Sequence, residues 1–561
     1  MEIFYMEEWF DKAIIYQVYP KSFKDSNGDG IGDIRGIIEK VAYIKSLGVN
    51  TIWVNPMYVS PQVDNGYDVS NYFAIDESMG TMEDFEELVK VVHDHGMKII
   101  MDFVLNHTSD QHPWFQDAKN NPHSLYRNYY LWSKGKNGSE PNNWGSFFGG
   151  SVWSRVHKND SEYYFHLFNK HMPDLNWKNP EVQQSVTDIA KFWVAKGIDG
   201  FRLDAFIHIS KADFNQDYIS HEKHPLAEPY YANRSEVQSY LRYFTSELRK
   251  EKPDIYILGE ASSADINLAL DYSNPQSNLC DQVITFRLFA DKLKNPIVNL
   301  PSEFQPVTLD VQLFKKQMAE WQANMEGICY PTLYWSNHDT ARLISRYGDS
   351  DYPINSAKAL ATVLYLQRGV PIIYFGEELG MQNAYLDRFE QFEDQNVDDF
   401  ANIALKNGIS KNKILNMLNS THKMSARNVM HWSKKDNFGF SNHDPWIGGK
   451  STDVNVDEED SQSDSVLNYY RELLKIKQSN LYSIGKETID NCEDPIFSFS
   501  RSYNNYEAKV IVNLSCDSQQ YQLDNEMKNG KRILSEGQLQ IKNGNIQLGP
   551  WSSIIIESKE K

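Results

Sequence analysis

Only four cysteines occur in 561 residues, and no two form a CxxC pair. Cys280, Cys329, Cys492 and Cys516 are scattered, which argues against a disulfide framework or a thiolate metal site and for buried free thiols. No apolar run approaches the roughly 18 residues that a membrane span needs. The first eight residues are acidic and carry no basic-then-apolar leader. Basic side chains are in the minority: Lys plus Arg number 56 against 76 for Asp plus Glu, a formal net charge of −20. Such a surface repels phosphate backbones and anionic lipid, so neither nucleic acid nor membrane is expected as a partner. A soluble, cytoplasmic protein with a large core is what remains. Length alone suits about three or four domains, although α/β barrels often run past roughly 200 residues as one.

Short β-branched runs alternate with helical spacing in the first third. Residues 14–19, 51–55 and 98–105 read as strands, and 37–47 and 82–95 as helices ending at Gly48 and Gly96. This alternation predicts a parallel sheet with crossover helices. It breaks at 107–175, a stretch rich in Asn, Gly, Trp, Tyr and His that reads as an inserted subdomain after the third strand. Helix 180–196 restores the rhythm, followed by strands at 200–205, 255–261, 282–288, 330–335 and 370–375. Eight strands with intervening helices is the count of a closed (β/α)8 TIM barrel. We therefore expect a barrel from 1–106 and 176–481, a polar helical insertion at about 380–435, and an acidic surface loop at 453–464. Short alternating runs after 482 predict a C-terminal all-β sandwich over 482–561. There is no internal repeat.

Three strands end in carboxylates: Gly200 to Ala205 carries Asp204, Ile257 to Ala261 carries Glu260, and Trp335 to Asp339 carries Asp339. A charge at the end of a buried strand is unfavourable unless paired or used. At the C-terminal ends of barrel strands, three such acids converge on one site. Two carboxylates flanking a bond, with a third in support, is the arrangement of glycoside hydrolysis. Separately, Asp25 to Asp33 places side-chain oxygens at positions 1, 3, 5 and 9 of a loop with Gly at position 6. That opens like an EF-hand, but the Glu at position 12 is missing.

The chain resembles the α-amylase superfamily of glycoside hydrolases, in particular its oligo-1,6-glucosidase and α-glucosidase subgroup. The resemblance runs from Ile14 to the C-terminal β domain. Its four motifs stand in order and in strand context: Asp102 to His107, Gly200 to Ala205, the Glu260 string, and Asn337 to Asp339. It implies that Asp204 is the nucleophile, Glu260 the general acid/base, and Asp339 the third acid, which holds sugar hydroxyls. Arg202, two residues before Asp204 on the same face, is expected to lower the Asp204 pKa. By the same resemblance His107 and His338 bond hydroxyls of the terminal sugar. Asp64 and Tyr67 close the non-reducing end, Arg427 pairs with Asp64 behind the first glucose, and Phe148 and Phe168 stack on sugar faces. The relatives use the Asp25 loop as a structural Ca2+ or Mg2+ site, through Asp25, Asn27, Asp29, the Ile31 carbonyl and Asp33. No catalytic cofactor is implied.

Some residues depart from the subgroup's pattern. Ala205 follows the nucleophile where α-1,6-selective relatives carry Val, Met172 replaces a usual Gln, and Asn428 to His431 replaces Thr-Pro-Met-Gln. The stretch from Phe286 to Asp291 lacks the second arginine of sucrose isomerases, which favours hydrolysis over isomerisation. The expectation is an exo-acting, retaining α-glucosidase on α-1,6- or α-1,4-linked short oligosaccharides, working as a monomer or weak homodimer. Trehalose-6-phosphate hydrolase stays open, because Tyr58 to Tyr67 resembles that enzyme. A non-catalytic barrel used as a binding module is a remote alternative.

Overall fold

The computed structural model describes residues 8–559 apart from 137, 159, 449–453 and 526. The N-terminal residues 1–7 and Asp453, which figured in the sequence reading, lie outside the described residues. Eight parallel strands form the central sheet: Ile15–Val18, Thr51–Val54, Lys98–Val104, Gly200–Asp204, Tyr256–Glu260, Gln282–Ile284, Thr332–Leu333 and Val370–Tyr374. In space they run six, five, four, three, two, one, eight, seven. Between the sixth and seventh strands the join is made by side chains. Thr332 Oγ1 donates to the Val283 carbonyl at 2.9 Å, and the Tyr334 hydroxyl to the Thr285 carbonyl at 2.8 Å. The result is a nearly closed TIM barrel. The short seventh strand explains why only two of the six expected strand residues there form a ladder.

Some of the helices with 3.6-residue spacing also have a side-chain cap at their start. Thr81 and Asp84 make a reciprocal capping box on Met82–Asp94, and Asp33 accepts from the Gly36 amide to start Ile34–Ser46. Register then decides which charges meet. Strand three pairs with strand four so that Asp102 faces Arg202 and Val104 faces Asp204. Strand five pairs with strand four so that Leu258 faces Arg202. One guanidinium is thereby set among the carboxylates at the strand ends.

After strand three the chain makes a small antiparallel sheet of Trp132–Lys134, Trp153–Ser154 and Glu162–Phe165. A buried lysine ties this insertion to the barrel. Lys211 Nζ lies 2.5 Å from Asp174 Oδ2 and donates to Asn106 Oδ1 at 2.8 Å. The polar stretch after strand eight folds as helices Gln395–Lys406, Lys411–Thr421 and Lys423–Ala426, which share their own apolar core. The acidic stretch expected as a loop instead contains the helix Val456–Ser461, capped by Asn455. Glu459 in it is buried and accepts from the Leu467 amide at 3.0 Å, so the charge run has an inward side. At the C-terminus, sheets of five and three strands enclose a separate core that includes Ile511, Ile546 and Ile554. Cys280 and Cys329 are buried thiols, but Cys516 is exposed. No helix among the described residues is long and apolar enough to cross a membrane.

Candidate active site

At the C-terminal end of the barrel lies a cavity of about 390 Å3. Asp64, Tyr67, His107, Phe148, Phe168 and Arg427 line it together with Asp204, Glu260 and Asp339. Asp204 and Glu260, the last residues of strands four and five, therefore face one space with Asp339, which lies in a turn beyond the short seventh strand and not at its end as expected. Arg202 does not line it; the guanidinium lies one layer down and organises the acids above. Its Nη1 donates to Asp204 Oδ1 at 2.7 Å and also bonds Asp102, and its Nη2 lies 2.9 Å from Glu260 Oε2. Asp102 is fixed in turn by the Trp53 indole at 2.9 Å and the Asn55 amide at 3.0 Å.

The electrostatics of Asp204 differ from the sequence expectation. Burial pushes its carboxyl well above the ordinary range. Arg202 pulls it down as expected, but Glu260, Asp102 and Asp339 add to the burial and outweigh that pull. Arg202 contacts three carboxylates, Asp102, Asp204 and Glu260, and one guanidinium cannot balance three, so the Asp204 carboxyl stays high. Asp339 goes the other way. Burial raises it, but His338, Lys423 and Arg427 hold it well below the usual carboxylate range.

Ala205, directly after Asp204, has φ +47° and ψ 26°. A left-handed alanine is strained by about 1–2 kcal/mol. The conformation turns its amide to Glu260, donating to Oε2 at 3.1 Å. The end of strand four thus grips the acid on strand five.

His107 is buried and its Nε2 has no hydrogen-bond partner, although the ring lines the cavity. Burial and the charge of Lys211 lower its pKa to about 3, so the ring is neutral. An unpaired ring nitrogen there suits a sugar hydroxyl. His338 is not at the surface of the cavity. It is sandwiched behind Tyr67, stacked at 5.4 Å, and its Nε2 lies 2.6 Å from the Tyr67 hydroxyl and 2.9 Å from Asp339 Oδ2. Gln17 Nε2 meets its Nδ1 at 2.8 Å, leaving Nε2 as the donor. His338 thus bonds both Asp339 and Tyr67 from behind the cavity wall. Arg427 makes its ion pair with Asp339, at 3.2 Å, and not with Asp64 as expected. Its Nε is occupied by the His338 carbonyl at 2.9 Å, which swings the guanidinium toward the third acid. Asp64 still feels the charges of Lys423 and Arg427, but burial raises its pKa on balance.

Several lining residues escaped the sequence reading: Phe147, His208, Ser262, Glu303 and Lys423. His208 is four residues past Asp204 and Ser262 two past Glu260, so proximity to the strand ends was a usable signal. Glu303 and Lys423 come from long connections after strands six and eight, with no periodic pattern to mark them. A second chamber of about 300 Å3 adjoins the first, sharing Phe147, Phe148, Glu303, Asp339 and Lys423.

The Asp25 loop lies apart from this cavity. Asp25 accepts from the amides of Asn27, Gly28 and Gly30 and from the Ser441 hydroxyl. Asp33 accepts from the amide and hydroxyl of Ser26, both at 2.8 Å. Among the described residues no three His, Cys, Asp or Glu side chains gather into a metal group. The donor set is nonetheless all hard oxygen, the chemistry that suits Ca2+ or Mg2+.

Comparison with known proteins agrees with this geometry. The family model for the alpha amylase catalytic domain matches residues 17–485, and that for the alpha-amylase SusG C-terminal domain matches 496–555. An oligo-1,6-glucosidase of Bacillus cereus is 35% identical over 99% of this chain and 98% of its own length. A trehalose-6-phosphate hydrolase of Bacillus subtilis is 37% identical over 90% of this chain and 89% of its own. A solved structure described as a family GH13_31 enzyme superposes with a TM-score of 0.90 at 47% identity, over 99% of this chain and all of that one. The carboxylates at the barrel mouth and these matches together place the chain in the alpha-amylase family, as a glycoside hydrolase.

Proposed function

We propose that this chain is an exo-acting, retaining α-glucosidase that releases terminal non-reducing glucose from short, uncharged α-1,6- or α-1,4-linked oligosaccharides. The observation that carries the reading is the bracketing of Asp204 and Glu260 by the two terminal nitrogens of one guanidinium. Such a bridge favours the carboxyl spacing of about 5–5.5 Å used for retention over the wider spacing that admits a water. Glu260 protonates the leaving glycosidic oxygen while Asp204 attacks the anomeric carbon, giving a β-glucosyl-enzyme. Glu260 then takes a proton from water, which attacks the same carbon and frees Asp204 and α-glucose. Asp64, Tyr67 and Arg427 wall off one end, which supports attack on chain ends. The relatives named for oligo-1,6-glucosidase activity support the same reaction.

An uncharged substrate is supported by how the cations are used. A phosphate needs two or more Lys or Arg groups free to bind it. Arg427 is taken by Asp339, and Arg346, in the second chamber, is taken by Asp291. Lys423 lies 3.7 Å from Asp339 and also faces Glu303 and Asp394. We expect kcat/KM on trehalose-6-phosphate to fall roughly 100-fold or more below that on isomaltose or maltose, the effect of taking a charged phosphate out of water without a cation to pair it. A panel of maltose, isomaltose, trehalose and trehalose-6-phosphate checks it. If the phosphorylated sugar proves the best substrate, the uncharged-substrate reading fails.

We further propose a structural divalent cation in the Asp25 loop, on the chemistry of its donors. It would be held by Asp25, Asn27, Asp29, the Ile31 carbonyl and Asp33. Ca2+ or Mg2+ should then raise the melting temperature by a few degrees and a chelator lower it, by binding the folded state alone, with kcat unchanged. Asp29→Ala should remove the response. A melting curve indifferent to both ions and chelator would dismiss the site.

A further inference from the structure

Asp64 stands in an improbable piece of backbone. Gln62, Asn65 and Gly66 have φ of +64°, +51° and +106°, so the residue pair Val63 and Asp64 is bracketed by left-handed residues. Such a turn persists only where its surroundings over-determine it. On one side Asp68 supplies the hold, accepting from the Ser60 hydroxyl at 2.8 Å and from the amides of Val63 and Asp64 at 2.9 and 3.0 Å. On the other side there is a single ammonium. Lys21 Nζ donates to Gln62 Oε1 at 3.3 Å and to Asn65 Oδ1 at 3.0 Å, the side chains of the two non-glycine left-handed residues.

Lys21 is itself held in place. Its ammonium rests over the Trp446 ring, 4.2 Å from the centroid. Trp446 is anchored by its indole nitrogen on the Ser22 hydroxyl at 3.1 Å and by its amide on the Gly30 carbonyl at 2.9 Å. Lys21 does not line the cavity that Asp64 lines. It touches the turn and not the space the substrate would fill.

We propose that Lys21 is a positioning residue that clamps the Gln62–Asn65 turn and so fixes the Asp64 carboxylate against the terminal sugar. The inference rests on the glucosidase reading of the pocket. It separates binding from chemistry, because Asp64 is remote in the chain from the strand ends that carry Asp204 and Glu260. Lys21→Met keeps the length and apolar stem but removes the donors. On an aryl α-glucoside we expect KM to rise about tenfold or more, the equivalent of one charged hydrogen bond, with kcat within about threefold of wild type. Lys21→Arg, which can donate to both oxygens, should restore KM. Asn65→Gly keeps the left-handed turn and removes one acceptor, so it should give the same direction of change even if Lys21→Met folds poorly. In an Asp64→Asn background Lys21→Met should add nothing, since both act through one carboxylate.

The outcomes separate the two ideas. If Asp64→Asn leaves KM unchanged, the pocket reading itself fails. If Asp64→Asn raises KM but Lys21→Met and Asn65→Gly do not, only the clamp fails. A fall in kcat at constant KM in Lys21→Met, or full additivity in the double variant, would also overturn the clamp.

Discussion

Asp204→Asn is expected to lower kcat by about 10^4-fold or more, the scale seen when a covalent catalyst is removed, while raising the melting temperature at neutral pH. Both effects have one origin. The Asp204 carboxyl is held high by burial and by Glu260, Asp102 and Asp339, against the opposing pull of Arg202. A folded pKa above the unfolded one means that the native state binds the proton more tightly. Stability therefore falls as pH rises from the ordinary carboxyl range through the raised folded value. A carboxyl whose pKa is raised on folding costs stability at neutral pH, is retained for its chemistry, and is relieved by a neutral amide. Arg202 keeps Asp102 and Glu260 as partners in the variant, so no buried cation is stranded. Thermal melts across pH check the sign: the variant's advantage should shrink toward acid. A variant less stable than wild type at neutral pH, or one with near-normal turnover, contradicts the role given to Asp204.

Glu260→Ala is expected to lose about 10^2–10^4-fold in kcat/KM on isomaltose, the usual range for general acid–base catalysis. The loss should depend on the leaving group. A fluoride or dinitrophenolate departs without a proton, so glycosylation by those donors should stay near wild type. Deglycosylation should still be slow, because water then lacks its base. Added azide, a nucleophile that needs no base, should restore turnover of the activated donors. A uniform loss across all leaving groups, with no response to azide, would mean that Glu260 only supports the fold around Arg202.

Much of this was legible in the chain. The barrel shows because its strands are buried runs separated by helical spacing, and Asp204 and Glu260 show because each ends such a run. Other features depend on contacts that no local pattern encodes. Arg427 pairs with Asp339 because the His338 carbonyl, 89 residues away in the chain, fixes its Nε. His338 sits behind Tyr67 for a similar reason, the stacking of two loops. Arg202 lowers the Asp204 pKa as its place two residues earlier implies, but burial and the acids that the fold brings to the same carboxyl are not visible locally and carry it up on balance. Glu303 and Lys423 lie on long connections whose path over the mouth is set by tertiary packing. The acidic stretch hid a helix because Glu459 turns inward, against the expectation that a charge run is solvated.

The central claim is that Asp204 and Glu260 perform a double displacement with retention. It is tested most directly by the configuration of the glucosyl azide that Glu260→Ala forms from an activated donor. If Asp204 holds the sugar as a β-glucosyl-enzyme, azide enters through the space left by Glu260 and the product is the α-azide. A β-azide would place the covalent bond elsewhere and contradict the assignment of the two carboxylates.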